Sequence, residues 1–462
     1  MKRIFAPLMI LLTFMANAQL VWEPDQIVNT GHGMDRPRVV FNAGGKPIVI
    51  WGEYSKLMYS YQSGGTMTPP MQLNPTGTSV AEAFWQGPEI AAKGDTIYIV
   101  YKTKPEADTS SHIYCLSSFN GGQSFNQPVR VDYIGNNMGR LPTVGITNNG
   151  QPVVAFMKSD LSYHDPQWVV VTSTDHGQSF STEVQASGFN SAAAEACDCC
   201  PASIQANGTH IVLAYRDNDN NLRDTWLGIS NDGGNSFNNV RVDTSNWFIQ
   251  ACPSSGPDLV LEGDTVFSTF MNGQNQTRSF LSKYSMADSA LAVESLEAVA
   301  QYQNYPRISS AAGGMVVTWV STVSSSSLIK MNYYDGNVNT YVLDTGNLNV
   351  PDIVMDDQSV AVVWHDFDNT AVVLKQATRG YVGEGEDMIP ETVISPNPAH
   401  DIIYLNEFGH VDQVQLINMT GAVVLHQDRP EEMIRISDLP VGVYTVRFVV
   451  GNEITFRRLV KN

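Results

Sequence analysis

The stretch Arg140-Leu141-Pro142-Thr143-Val144-Gly145-Ile146-Thr147-Asn148-Asn149-Gly150-Gln151-Pro152-Val153-Val154-Ala155-Phe156 decides the fold. It reads as a short strand opened by proline, a turn holding glycine, and a second strand closed by an aromatic residue. The unit recurs from Arg36-Pro37 to Trp51, Gly87-Pro88 to Tyr101, Cys200-Pro201 to Tyr215, Gly256-Pro257 to Phe270, Tyr305-Pro306 to Trp319 and Val350-Pro351 to Trp364. The aromatic always follows its proline by 13 or 14 residues, and successive prolines lie 51, 54, 59, 56, 49 and 45 residues apart.

Seven copies of short paired strands without helical periodicity predict an all-β fold, a seven-bladed propeller. If one proline is misassigned, the ring has six blades. A ring must also protect its edges, so Leu20–Val28, ahead of the first copy, is expected to pair as the outer strand of the last blade. Length alone, 462 residues, suggested about three domains at roughly 100–200 residues each. The repeat instead assigns residues 19–379 to one ring.

Composition narrows the class. With 43% hydrophobic and 16% charged residues the chain is neither disordered nor coiled coil. Its 46 acidic residues against 27 basic give a net charge of -19, which excludes nucleic acid and anionic membranes as main partners.

A second element rides on the repeat. Ser118-Phe119-Asn120-Gly121-Gly122-Gln123-Ser124-Phe125, Ser173-Thr174-Asp175-His176-Gly177-Gln178-Ser179-Phe180 and Ser230-Asn231-Asp232-Gly233-Gly234-Asn235-Ser236-Phe237 each follow their proline by about 30 residues. Physically this is a hairpin turn: Ser118, Ser173 and Ser230 start it, and Asn120, Asp175 and Asp232 bind backbone N–H groups. Gly122, Gly177 and Gly234 take a positive φ, and Phe125, Phe180 and Phe237 pack between strands. These turns resemble the Asp-box of sialidase-like (BNR-repeat) propellers, where the box is structural and faces away from the ligand.

Both ends carry address-like segments. Residues 1–18 read as a signal peptide: Lys2-Arg3, an apolar run from Ile4 to Met15, and Ala16-Asn17-Ala18 as cleavage site. No later run is long and apolar enough to span a bilayer. Residues 380–391, rich in Gly and acid, form a linker. Residues 392–462 read as a small β-sandwich, with Pro396-Asn397-Pro398, a Leu439-Pro440-Val441-Gly442-Val443-Tyr444 turn and a basic last strand. This tail resembles the C-terminal sorting domain of type IX secretion. That resemblance implies the secretion machinery as a partner and a secreted or outer-membrane-surface location, reached via the periplasm. Residues 19–391, ring and linker together, carry the whole -19, since leader and tail contribute +2 and -2.

The repeat also sets where a site can be. Residues just before each proline, and just after each aromatic, should share one face, the mouth. There Arg36, Arg140, Arg216, Asp217 and Arg223 are candidate ligand-binding residues. Arg140-Leu141-Pro142 matches the Arg-[Ile/Leu]-Pro signature of sialidases, whose arginines hold a sugar carboxylate by paired hydrogen bonds. Here, however, it falls in the third copy, and no segment clearly supplies the Tyr–Glu nucleophile pair. Cys197, Cys199 and Cys200 enter the fourth copy and Cys252 the fifth, so four sulfurs can meet as disulfides or, less in keeping with an exported chain, as a thiolate metal site. Cys115 stands apart as a buried thiol. The polar run Arg216–Asp224 is a candidate structural calcium loop, without the Gly and distal Glu of an EF-hand. No other cofactor is implied. Three functions stay open: binding of glycans or surface proteins, sialidase-type hydrolysis, and a surface scaffold without chemistry.

Overall fold

The repeating proline lies within or just before the first strand of each sheet in the structure, a computed structural model that describes residues 19–380 apart from 190–193, 299–301 and 325, and residues 393–462 apart from 407–411, 419–421, 431–432 and 451–452. The stretch read as a leader and the linker residues 381–391 lie outside the described residues. All regular structure described is β. Contacts divide the chain into two compact units, with the boundary between Val382 and Gly383.

The first unit contains seven antiparallel sheets of four or five strands. Their first strands are Met34–Phe41, Glu89–Lys93, Met138–Ile146, Ser203–Asn207, Asp258–Glu262, Tyr302–Ala311 and Leu348–Met355. Each first strand contacts that of the next sheet, and the seventh contacts the first, so the series closes on itself. The seventh sheet is completed from the far end of the chain. Gln19–Trp22 and Gln26–Thr30 both pair antiparallel with Ala371–Gly380, placing Leu20 beside Arg379. This is the pairing predicted for Leu20–Val28.

The seven repeat aromatics, Trp51, Tyr101, Phe156, Tyr215, Phe270, Trp319 and Trp364, sit on the second strands and are at most 1% exposed. The reason is position. A second strand is flanked within its sheet and covered by neighbouring sheets on both faces, so it reads as a continuous apolar run, such as Ile48-Val49-Ile50-Trp51. Seven hydrophobic clusters result, one for each pair of neighbouring sheets. The cluster between seventh and first sheets packs Trp51 with Val363 and Val372. Each aromatic so buried stabilises by roughly 2–3 kcal/mol.

The proline also marks an irregularity. In four sheets the pairing of first and second strands slips at the proline, between Asp35 and Arg38, Arg140 and Thr143, Asn304 and Arg307, and Asn349 and Asp352. The residue before it is left-handed in each: Arg36 (φ 47°), Leu141 (49°), Tyr305 (51°) and Val350 (44°). A bulky residue in that region costs about 1–3 kcal/mol and persists only where surrounding contacts over-determine it. The bulge turns the inner strand as it leaves the mouth.

The second unit has a three-stranded sheet and a four-stranded sheet around one apolar cluster that includes Ile403, Leu416, Val446 and Phe448. The Tyr444 hydroxyl donates to the Pro440 carbonyl at 2.6 Å, fixing the Leu439–Tyr444 turn.

Candidate functional site at the mouth

Strands alternate in direction, so the starts of first strands, the loops between second and third strands, and the connections between sheets share one end. The box turns occupy the other. There Gly121 N donates to Asp95 O, His176 N to Gln151 Oε1 and Gly233 N to Thr209 O, each acceptor lying on the turn between first and second strands.

The turns behave as their chemistry predicts. Ser118, Ser173 and Ser230 Oγ accept from the N–H of Gly122, Gly177 and Gly234 at 3.1, 2.9 and 2.8 Å. Asn120, Asp175 and Asp232 Oδ1 accept from the N–H four residues on. Those glycines have φ of 82°, 81° and 92°. Hydrogen bonds led by Ser179 and Ser236 hold the Asp175 and Asp232 carboxyls down to about 2. Phe125 meets Tyr59 edge-on, while Phe180 and Phe237 join the clusters between sheets.

At the mouth end the axis holds a belt of charge. Arg36 and Arg38 both bind Glu89, Arg38 through Nε to Oε2 at 3.0 Å. Arg307 Nε lies 2.7 Å from Asp352 Oδ1 and 3.4 Å from Asp258 Oδ2, and its Nη2 is 3.8 Å from Glu89. Asp352 also accepts from Val39 N and Asp258 from Ile308 N, both at 2.9 Å. Three guanidiniums thus face three carboxylates, joining the first, second, fifth, sixth and seventh sheets. Burial works against the Glu89 carboxylate, but Arg38, Arg36 and Arg307 outweigh it and hold Glu89 at about 2. Arg36 shows the opposite balance: burial and the neighbouring Arg38 cation bring it down to about 10. Burial also opposes the Arg307 cation, yet Asp258, Asp352 and Glu89 lift it above its ordinary value.

The belt is a floor. Above it a recess of about 30 Å³ is bounded by Arg36, Arg38, Phe84, Tyr305 and the repeat prolines 201, 257, 306 and 351. Below it lies an axial cavity of about 390 Å³, lined by all seven first strands. Arg307 borders both.

Beside the axis stands a more open group. The Arg140 guanidinium lies over Tyr163 at 4.8 Å and near Trp85 at 5.9 Å. It binds Glu106 Oε2 at 3.0 Å and the Asp198 carbonyl at 2.9 Å. Arg36 Nη1 donates to the Trp85 carbonyl at 2.6 Å, tying this group to the belt. The second carboxylate oxygen of Glu106 is buried with no hydrogen-bond partner in the structure. Lys102, which follows the repeat aromatic Tyr101, is buried. It donates to the Ser111 carbonyl, and burial pushes it down to about 8.

Exposed aromatics gather at this end. Tyr54, Tyr163 and Phe367 stand on loops between second and third strands, and Phe84, Tyr133, Phe189 and Phe248 on connections between sheets. Tyr302 begins a first strand. Among the described residues of this unit, Phe119 is the exposed aromatic at the opposite end.

The remaining candidates are held by the chain itself. Arg216 is fully buried, and its guanidinium donates to the carbonyls of Ser255, Arg223 and Met271. Asp217 is buried, and its N–H donates to Asp224 O. In the polar loop Asp224 is occupied by Arg241 and Trp247 N. Arg223 donates to the Ile249 carbonyl and, at 2.9 Å, to Cys197 Sγ. The four mouth sulfurs do meet. Cys199 and Cys252 form a disulfide, and Cys197 Sγ lies 3.6 Å from Cys199 Sγ and 3.2 Å from Cys200 Sγ. Cys115 is a buried free thiol, as expected.

The belt escaped the sequence reading apart from Arg36, although its signal was present. In the seven copies the residue after the proline is Arg38, Glu89, Thr143, Ala202, Asp258, Arg307 or Asp352, charged in five. Charge at one fixed repeat position means charge at one level of the ring.

Comparison with known proteins assigns the tail. Residues 393–462 match the secretion system C-terminal sorting domain. The tail is a type IX sorting domain. A sorting domain of this kind directs export to the cell surface or secretion, with the type IX machinery as partner. No curated protein matches the chain. Among solved structures, an ulvan lyase of family PL25 bound to -[GlcA(1-4)Rha3S]- is similar over 79% of this chain and 96% of its own, at 10% identity and a TM-score of 0.51. The α-L-arabinofuranosidase of Fusarium graminearum is similar over 78% and 97%, at 12% identity and 0.46. A Trypanosoma rangeli sialidase mutant is similar over 78% and 58%, at 12% identity and 0.46. The likeness to the ulvan lyase shows a propeller fold, in keeping with a sialidase-like propeller ahead of the sorting domain.

Proposed function

We propose that this is an exported, surface-displayed or secreted seven-bladed propeller that binds glycan chains on its mouth face. The seven sheets are the blades, the three Ser-initiated turns are Asp-boxes, and the sorting domain, a small sandwich, follows a linker. The observation that carries the proposal is the one-sided distribution of exposed aromatics at the mouth end, where the Trp85–Arg140–Tyr163 group also lies. Flat aromatic faces stack on sugar rings, and grouped exposed apolar surface marks an interaction site. Binding is favoured over sialoside hydrolysis by the state of the arginines. Arg36 and Arg307 are paired with carboxylates and the Arg216 guanidinium donates to three backbone carbonyls, so none has a free edge for a sugar carboxylate.

The test is affinity electrophoresis of the full chain through gels holding soluble neutral and anionic polysaccharides. Retardation by at least one polysaccharide is expected, weakened at least about tenfold by Phe84→Ala with Trp85→Ala, at unchanged melting temperature. Migration unaffected by every polysaccharide would refute glycan binding. Cleavage of a fluorogenic sialoside that Arg140→Ala abolishes would replace it with hydrolysis.

A further inference from the structure

The four sulfurs at the mouth form a graded set. The Cys199–Cys252 disulfide is the outer pair: Cys252 is exposed, and the bond ties the connection entering the fourth sheet to that entering the fifth. Cys197 and Cys200 are the inner pair, both buried thiols spaced C-x-x-C. Cys197 Sγ lies 3.6 Å from Cys199 Sγ and 3.2 Å from Cys200 Sγ, and the three sulfurs all lie within 4.8 Å of one another. The Arg223 guanidinium donates to Cys197 Sγ at 2.9 Å, while Cys197 N is held by Arg216 O. Cys200 has no such cation in hydrogen-bonding reach.

We propose that these four cysteines are a thiol–disulfide exchange site that passes two electrons from the buried pair to an external disulfide through the surface pair. The Cys197 thiolate attacks Cys199 Sγ, forming Cys197–Cys199 and releasing Cys252 as a thiolate at the surface. Cys200, giving up its proton, then attacks Cys197 Sγ, forming Cys197–Cys200 and releasing the Cys199 thiolate. Cys252 attacks an external disulfide RS–SR, giving a mixed disulfide and RS⁻, and Cys199 displaces the second RS⁻ to restore Cys199–Cys252. The balance is one inner dithiol and one RS–SR converted to one inner disulfide and two RSH. The protonation states suit these roles. Contact with the Cys200 thiol and the Arg223 and Arg216 cations outweighs burial and holds Cys197 below the ordinary thiol range, whereas burial and the facing Cys197 lift Cys200 above it. Attack needs the thiolate, and an exported protein meets disulfides.

The experiment uses the full chain, poised at one disulfide among these four cysteines with limiting dithiothreitol and stripped of metal by a chelator. 5,5′-Dithiobis(2-nitrobenzoate) serves as the external disulfide. Two equivalents of thionitrobenzoate should be released without denaturant, leaving no adduct and both Cys197–Cys200 and Cys199–Cys252 in the peptide map. Cys200→Ser should stop midway, with a Cys197–Cys199 bond and the adduct on Cys252. Arg223→Gln should move the pH midpoint of release upward. A thionitrobenzoate adduct on Cys197 with Cys199–Cys252 intact, or an inner pair that stays reduced in the folded wild type, would overturn the relay. If Cys200→Ser fails to fold, an acid quench of the wild type early in release decides: the first adduct lies on Cys252 in the relay, and on Cys197 or Cys200 in direct oxidation, which would overturn it.

Discussion

Replacing Glu89 with Gln should open the floor of the mouth. The side chain is 8% exposed, and its carboxylate faces Arg36, Arg38 and Arg307. The amide keeps the shape and removes the charge, leaving Arg36 and Arg38 buried with no carboxylate opposite. Breaking a buried pair in this way costs about 3–5 kcal/mol. An independent route agrees. The Glu89 carboxyl falls from 4.5 to about 2 on folding. At about 1.4 kcal/mol per pH unit, that is roughly 3 kcal/mol of stability. For a ring of this size, with an unfolding entropy of about 2.1 cal/mol/K per residue, the melting temperature should fall by about 4 °C. Calorimetry of wild type and Glu89→Gln at pH 7 measures this. The pH dependence follows from the sign of the shift. A depressed carboxylate stabilises fully above its unfolded value of 4.5 and loses that contribution as pH falls toward 2. The difference between the two proteins should therefore shrink below pH 4.5. A difference under about 1 °C at pH 7, or one that grows on acidification, would refute the belt as a clamp between sheets.

Other substitutions probe other parts. Arg216→Met should cost at least about 3 kcal/mol in equilibrium unfolding, since three buried carbonyls lose their donor. Gly122→Ala should destabilise by about 1–3 kcal/mol: φ is 82°, and the new Cβ would stand 2.7 Å from Ile48 Cδ1. Gly233→Ala should cost less, because φ is 74° but nothing lies within 4 Å of its Cβ; equal losses would show that space is irrelevant in these turns. Removal of residues 393–462 should leave the propeller inside the cell envelope, as fractionation and immunoblotting would show.

Much of the fold was legible because the repeat imposes one physical demand seven times. Every second strand is covered by sheets on both faces, so an aromatic recurs at its end, and a proline recurs near the start of every first strand, which in four sheets bends there. Pairing of Leu20–Val28 with the last sheet followed from the need to close an edge. The site was less legible. Arg36 and Arg216 were placed at the mouth by spacing, but spacing says nothing about partners. The Glu89 carboxylate lies 53 residues from Arg36 and the Met271 carbonyl 55 from Arg216. Such partners belong to neighbouring sheets and meet only once the ring has formed. The cysteines were a favourable case: two connections in equivalent places brought the sulfurs together, although which two would bond depended on side-chain direction.

The belt also explains why arginines abound at this mouth without offering themselves to a ligand. Seven first strands converge where there is least room, and four arrive through a left-handed residue that moderate packing would not sustain. Apolar side chains could fill the space, but they would not fix how far each strand advances along the axis. Ion pairs whose carboxylates also accept from backbone N–H groups do. Asp352 binds Arg307 of the sixth sheet and Val39 N of the first, and Asp258 holds Ile308 N of the sixth, so each carboxylate sets the level of its neighbours. If that is the belt's role, Asp352→Asn should loosen the seam between first, sixth and seventh sheets and speed hydrogen exchange at Val39 N, while exchange at buried amides of the third sheet, such as Val154, stays slow. Uniform acceleration across all seven sheets would mean that the belt adds stability without setting register.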